Sequence, residues 1–425
     1  MRNRVKKKIY YRIVFQLASA LSVGSGENHY SDGDLVRDSA GEPFIPGSSL
    51  AGIYRSFLKE EDAERYFETA KDKEERVGSQ VTVYDAKLHY IIEDQEKEGS
   101  FYRSVLRDSV ALDEWKTGKE RSKFDFEVIE PGAEFVTYLE QNCRNDDKDI
   151  GAELAWVWKK QQIRIGRKTM RGLGSIKKVR VYRRSFELDR KAELDAWLDF
   201  DMYREEDWKN QEFEEKDKQE IRRKDKISIE FTLKQKGGIS IRRYTTKVSN
   251  GQAQPDAEQL TCIMERDGKE IPYIPGSSWS GAFRHHMESL IPGCTKDYFG
   301  SIERRSSVRF EESIIERASQ KILTRNAVDR FTGSVIETAL FTEKMWYGGE
   351  TVLRIEIPVV LDGLSIEFRQ ALAASLVDLH MGILSVGGQT AVGRGIFEGK
   401  TLSINHKPIP VSDKMFEQIL HRLGE

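Results

Sequence analysis

Two stretches of this chain share a phrase whose residue types suit phosphate binding. Residues 42–55 read E-P-F-I-P-G-S-S-L-A-G-I-Y-R, and residues 271–284 read I-P-Y-I-P-G-S-S-W-S-G-A-F-R. In each, proline and glycine set a turn, and two serines stand where a helical pattern begins. A helix start offers unpaired backbone N–H groups and the positive end of the helix dipole, which together suit a phosphate. Ser48 and Ser49 hold that place in the first copy, and Ser277 and Ser278 in the second. Arg55 and Arg284 follow about two turns later, within reach of a neighbouring phosphate. Taken alone, the same serines are helix caps and the same arginines are surface charges.

A second pair of phrases lies downstream. Residues 165–175 read I-G-R-K-T-M-R-G-L-G-S, and residues 386–396 read V-G-G-Q-T-A-V-G-R-G-I. Glycine lets the backbone pass through positive φ and lie close to a polyanion. Arg167, Lys168 and Arg171 add charge beside Gly172, and Arg394 does so beyond Gly388. No G-K-[ST] follows, so this is not a nucleotide P-loop. A strand-like run follows instead of a helix, which excludes the dinucleotide fingerprint. The first phrase repeats 229 positions on (275 minus 46) and the second 221 positions on (387 minus 166). Two motifs in one order at nearly one offset mean two copies of a module, not a short-period solenoid.

The elements that must position these groups are readable. Residues 9–23 and 227–241 are rich in β-branched and aromatic residues and predict a long first strand in each copy. Leu50, Ile53, Tyr54, Phe57 and Leu58 fall on one helix face, as do Trp279, Ala282, Phe283, Met287 and Leu290. Gly52 and Gly281 sit inside those helices and lower helix propensity. They imply either tight packing on a strand or close approach by something outside. Arg107-Asp108 with Thr117-Gly118 runs parallel to Arg325-Asn326 with Thr332-Gly333, and each precedes a strand-like run. That pattern predicts a projecting hairpin carrying Arg107, Lys116 and Lys119 in one copy and Arg325, Arg330 and Phe331 in the other. Phe331 is either a core aromatic or a platform for a splayed base. Residues 186–226 are dense in mixed charge, which reads as a solvated helix or tether. The expected division is 1–204, a linker at 205–225, and 226–425.

Bulk properties narrow the class. A chain of 425 residues accommodates two or three domains. The charged fraction is 32% and the net charge −2, which excludes a uniformly basic nucleic-acid binder but not a local basic groove. Cys143, Cys262 and Cys294 show no paired spacing, as expected of reduced thiols in a cytoplasmic protein. No apolar run is long enough for a signal peptide or a membrane span, so no membrane partner is expected.

Together these residues resemble the repeat-associated mysterious protein (RAMP) superfamily of CRISPR effector proteins. I-P-G-S-S-[LW]-x-G-x-x-R after an aspartate-bearing loop looks like the backbone subunit of type III complexes. The glycine-rich loop is the superfamily's other mark. The resemblance covers nearly the whole chain, as two such subunits in tandem, similar to type III-D-like fusions. It implies an α+β fold of two tandem modified RNA-recognition (ferredoxin-like) domains with insertions and thumb-like hairpins. It implies a subunit that grips guide RNA along its phosphates with the serine-started helix and the glycine-rich region, and whose RNA-binding residues are Ser48, Ser49, Arg55, Arg167, Lys168, Arg171, Gly172, Ser277, Ser278, Arg284, Arg325, Arg330, Phe331, Gly388 and Arg394. It also implies partners: guide and target RNA, other backbone subunits and the large polymerase-like subunit.

In that family a loop aspartate cuts target RNA with a divalent metal. The family's D-S-P-[VL]-x-R-D pattern falls on S-D-G-D-L-V-R-D at 31–38, with Asp32 in the catalytic place and Arg37-Asp38 in register. Gly33 and Asp34 replace the usual serine and proline, so Asp34 competes, and His29 lies nearby. The second loop, P-D-A-E-Q-L-T-C-I-M-E-R-D-G, offers Asp256 and Glu258. Asp256 precedes Ile274 by 18 positions where Asp32 precedes Ile45 by 13, which leaves the second register open. The resemblance implies Mg²⁺ or Mn²⁺ at Asp32 and Asp256, although no ligand cluster is visible in the sequence. In-line attack by a ribose 2′-OH needs chiefly positioning, and a carboxylate with a metal activates the hydroxyl. Three alternatives stand beside this RNA endonuclease: a non-catalytic guide-RNA scaffold, a metal-independent guide-processing endonuclease using His29, and a generic two-domain RNA-binding module.

Overall fold

Ile9, Tyr11, Ile13, Phe15 and Leu17 alternate along the first strand, Lys7–Leu17, and all are buried on one side of a sheet. In the computed structural model this strand is central. The structure describes residues 4–424 except 25–32, 68–77, 94–95, 100, 113–117, 145–146, 215–225, 243–256, 266, 302–303 and 359–362. In module one an antiparallel sheet runs Val81–Val83, Glu134–Cys143, Lys7–Leu17, Ile176–Glu187. Module two repeats the order with Arg309–Phe310, Glu350–Pro358, Lys226–Gln235, Phe397–Ile404. Two helices cover one face of each sheet: Gly47–Phe57 and Ile150–Lys159 in the first, Gly276–Leu290 and Ile366–Met381 in the second. This is the expected α+β fold of two ferredoxin-like modules, each carrying an inserted hairpin (Ser104–Ile129 and Ser319–Tyr347).

Each module buries its own apolar cluster. In the first, Trp158 packs 4.7 Å from the Phe15 ring, and its Nε1 donates to Tyr54 Oη at 3.0 Å. In the second, Trp279 packs 5.6 Å from Phe397, and its Nε1 donates to Ser313 Oγ at 3.1 Å. A buried indole needs such a partner, because an unsatisfied N–H costs about 1–3 kcal/mol. All three cysteines are buried. Burial raises the Cys143 and Cys294 thiols to about 11 and the Cys262 thiol to about 12, so none is a thiolate at neutral pH.

The outer faces of the two sheets differ. In module one, Tyr10, Tyr138 and Phe186 face outward and are covered by the helix Lys191–Leu198 and the segment after it. Trp208 is 1% exposed there, and Trp197 Nε1 donates to Tyr10 Oη at 3.0 Å. The first part of the charge-rich stretch is therefore packed, not a solvated tether: its charges hide an aromatic seam. Module two's outer face carries the exposed pair Arg354–Glu230 instead.

The modules meet where the glycine-rich loop of the first reaches the short edge strand of the second. A β-carbon on Gly172 would collide with the backbone of Glu312 and Phe310, and one on Gly276 with the carbonyls of Phe310 and Arg171. Around this contact Arg107 pairs with Glu312, and Arg164 pairs with Glu311 and lies 3.8 Å from Glu356. The Arg107 guanidinium also lies 4.7 Å from the Tyr273 ring. Arg305 donates to Thr169 Oγ1 at 3.1 Å, and Ile263 N–H donates to Glu130 Oε2 at 3.1 Å. The Arg107 and Glu312 side chains are 10% and 6% exposed. Such a buried pair adds little net stability, but removing one partner costs about 3–5 kcal/mol, so it fixes register.

Burial alone would raise the Glu356 carboxyl, but Arg164, Lys226 and Arg309 outweigh it and hold the group below its ordinary value. A carboxyl held low in the folded state stabilises that state above the unfolded pKa. The contribution is lost as pH falls through the lowered value. The junction is expected to loosen below about pH 4. Small-angle scattering should then show the particle lengthening with circular dichroism little changed, and Glu356→Gln should loosen it already at neutral pH. A scattering profile unchanged down to about pH 3 would refute this.

Candidate nucleic-acid interface

The helix starts are built differently from the expectation. Pro46 and Pro275 take the N-cap position, the helices begin at Gly47 and Gly276, and no serine caps either one. Ser48 and Ser277 are exposed in the first turn, and Ser49 and Ser278 are half-buried beside them. The reason is the preceding proline, which fixes the entry and leaves the serines inside the helix. In module one the Gly47 N–H donates to Asp85 Oδ1 at 2.7 Å. The corresponding residue in module two is Glu312, because Ile45 bridges Ala86 as Ile274 pairs with Ser313. Glu312 turns away from its helix to accept from Ala20 N–H at 3.2 Å and to hold Arg107. Among the described residues no side chain accepts from the start of the second helix, which faces the module-one loop at Arg171. Helix start and glycine turn do come together, but across the modules. Arg171 is exposed at this seam.

The two glycine-rich loops superimpose residue by residue. Positive φ occurs at Gly166, Lys168, Gly172 and Gly174, and again at Gly387, Gln389, Gly393 and Gly395. Gly174 and Gly395 are obligatory, since a β-carbon would strike the Ile165 or Val386 carbonyl. Arg167 N–H donates to Ser22 O as Gly388 N–H donates to Ser240 O, both at 2.7 Å. Lys168 Nζ lies 3.2 Å from the Phe126 ring centroid, a cation–π contact. Gln389 in the same place bonds to Glu343, which also holds Arg325. Arg325 is therefore turned inward onto its own loop. Arg394 lies 5.7 Å from the Tyr347 ring.

The described residues flanking the aspartate loop of module one, Gly24 and 33–37, are held by the hairpin and by the glycine-rich loop. Glu127 on the hairpin pairs with Arg37, and its carboxylate accepts from Leu35 N–H at 3.1 Å. Glu127 N–H donates to Gly33 O at 2.9 Å. The exposed Arg167 guanidinium packs over Gly24 and reaches Gly33. Asp32, His29 and Asp256 lie outside the described residues. The backbone nevertheless aligns the two loops. Gly24 bridges Leu35 as Arg242 bridges Gln259, and Val36 N–H donates to Val23 O as Leu260 N–H donates to Ile241 O. Three positions before Leu35 is Asp32, and three before Gln259 is Asp256. The five extra residues of module two fall after this bridge, between Leu260 and Tyr273. By the same count Asp34 matches Glu258. Asp34 is half-buried, and Glu258 lies 3.9 Å from Lys344 Nζ.

The second hairpin projects. Phe331 is 98% exposed at its tip, where Asp329 accepts from the N–H groups of Phe331 and Thr332 at 2.9 and 2.8 Å. It is not a core residue, and Arg330 beside it is exposed. Strand register corrects one parallel: Arg107 sits opposite Phe126, and Leu323 sits opposite Glu343, the counterpart of Phe126. Leu323, not Arg325, therefore answers to Arg107. Lys116 lies outside the described residues. Arg284 is exposed and donates to Gly300 O at 3.0 Å, while Arg55 is half-buried in the last turn of its helix. Gly52 and Gly281 face outward, and among the described residues nothing packs on them.

Sequence reasoning missed Arg164, Arg305, Glu311 and Glu312. No repeat signal could have found Glu311, because its module-one counterpart is Tyr84. Among the described residues no three His, Cys, Asp or Glu side chains gather as metal ligands, and no helix is long and apolar enough to cross a membrane.

Comparison with known proteins places this architecture. No curated protein matches the chain. Among solved structures, a type III-B Cmr-beta complex bound to cognate target RNA contains a similar chain at 15% identity and TM-score 0.30, covering 42% of this chain and 60% of that one. The apo state of type III-B Cmr-beta contains another at 16% identity and TM-score 0.30, covering 40% and 95%. A family model for the RAMP superfamily matches residues 14–177 and 255–398, one span in each module. Both spans run from the first strand or aspartate loop through the glycine-rich loop, and on that match the chain belongs to the RAMP superfamily.

Proposed function

We propose that this chain is a backbone subunit of a type III CRISPR ribonucleoprotein that binds guide RNA and cleaves complementary target RNA at two loop aspartates. The observation that carries the reading is the cross-module seam, where a helix start with no side-chain cap among the described residues meets a glycine turn with exposed Arg171. Backbone N–H groups, a helix dipole and arginines together favour a phosphate. A run of contacts extends that seam: Thr169 to Arg305, and Gly300 to Arg284. The exposed Phe331 supplies a face on which a base can stack. Family membership supports the same reading.

Asp32 and Asp256 are the proposed cutting residues, each three positions in sequence before the bridged residue of its module, Leu35 or Gln259. Pinning by Glu127 and Arg37 holds residues 33–37, which follow Asp32, beside the hairpin. Carboxylate oxygens and the half-buried Asp34 suit a hard cation such as Mg²⁺ or Mn²⁺, which takes few protein ligands and completes its shell with water and phosphate oxygens. Asp32 and Asp256 would hold it, and it would supply charge stabilisation at the reacting phosphate. Arg167 stands next to this loop to orient the strand.

Purification with co-expressed partners should yield bound RNA sharing a common 5′ tag. In that assembled complex, Asp32→Ala and Asp256→Ala are each expected to remove one of two target cuts, by about a hundredfold or more, without loss of guide RNA. A double variant that still cuts at both positions would assign the chain to the scaffold role. Gly52→Ala and Gly281→Ala should raise the melting temperature of the RNA-free protein, since alanine is favoured by up to about 1 kcal/mol in an exposed helix. The same changes should weaken RNA binding if the strand approaches those turns; unchanged affinity would place the RNA elsewhere.

A further inference from the structure

The joint between the modules is heterologous: it uses one face of module one and a different face of module two. Each module therefore keeps one face unmatched. Module one keeps its receiving face, and module two keeps its presenting face.

The receiving faces correspond strand by strand. Thr82 and Val83 pair with Glu140 and Leu139 as Arg309 and Phe310 pair with Glu356 and Ile355. Glu140 thus stands for Glu356, Tyr84 for Glu311 and Asp85 for Glu312. Glu140 holds Lys8 at 2.6 Å just as Glu356 holds Lys226, and in module two Arg164 joins that arrangement. Of the three carboxylates that face Arg107 and Arg164, Glu356 recurs on module one as Glu140, and Glu312 recurs as Asp85, which is bonded to the Gly47 N–H. At the third place, Tyr84, the packed segment brings Asp201. A cleft of about 370 Å³ lies there, bordered by Tyr84, Glu140, Trp197, Leu198, Asp201 and Met202. Carboxylates in an aromatic frame suit a guanidinium.

The presenting face of module two has lost the matching groups. Leu323 stands where Arg107 stands, by the hairpin register. Ser385 stands where Arg164 stands, because Val386 meets Gly395 as Ile165 meets Gly174. A second copy of this chain therefore has no arginine at the two places that answer to Arg107 and Arg164.

We propose that the cleft at Tyr84, Glu140 and Asp201 is a socket for a different protein subunit, one presenting two arginines in the arrangement of Arg107 and Arg164, and that loss of both from module two keeps copies of this chain from stacking. The proposal is independent of RNA binding, and its test uses RNA-free protein. By sedimentation velocity the unmodified chain is expected to stay monomeric as concentration rises. Leu323→Arg with Ser385→Arg installs both arginines on module two. This double variant is expected to form head-to-tail chains, with self-association strengthened about tenfold or more and weakened by salt. Adding Asp201→Lys, at an exposed position, should return it to monomer. If Leu323→Arg disturbs its hairpin, Ser385→Arg alone carries the test with weaker association expected. Stacking of the unmodified chain, arginine variants that remain monomeric, or assembly indifferent to Asp201→Lys would each overturn the proposal.

Discussion

Arg107 on Glu312 and Arg164 on Glu311 decide where the candidate groups of this protein end up. These pairs join residues 205 and 147 positions apart and bury charge at the seam. Burying charge is expensive unless every partner is present, so few relative placements of the modules are tolerated. The glycines at 172 and 276 tighten that restriction, because any side chain there would push the backbones apart. A loop and a helix start that belong to different modules are thereby held as one surface.

The same acid serves two purposes in the two copies. Asp85 spends its carboxylate on its own helix, satisfying the Gly47 N–H. Glu312, one methylene longer, reaches the neighbouring module instead. One helix start is neutralised locally, and the other is left to the glycine turn that faces it. The asymmetry follows from side-chain length and from which faces are covered. Module one's outer sheet face is sealed by Trp197, Phe200 and Trp208, whereas module two's remains polar.

Much of this was legible in the sequence because it is local. The turn-forming phrases, the alternation of Ile9 to Leu17 and the glycine loops depend on short-range backbone geometry, and the structure has them where the pattern puts them. The fold class followed from their duplication. What the sequence hid was tertiary. Ion pairs between residues in different modules leave no periodic trace. The seam of Trp197 and Trp208 was masked by the charges around it. The serines read as caps, but each helix takes a proline at its N-cap instead. Phe331 could have been core or tip on its type alone, and only exposure decided between them.

The extra five residues after Leu260 also carry an evolutionary implication. They bring the Met264 carbonyl onto Gly132, where a β-carbon would not fit, and Ile263 onto Glu130. A crossover between the two halves of the gene would put this lock on both halves or on neither, and its key opposite the wrong surface. Such recombinants would assemble poorly, so gene conversion would be selected against and the halves would drift apart. Only the segments that backbone geometry forbids from drifting would then keep their shared spelling.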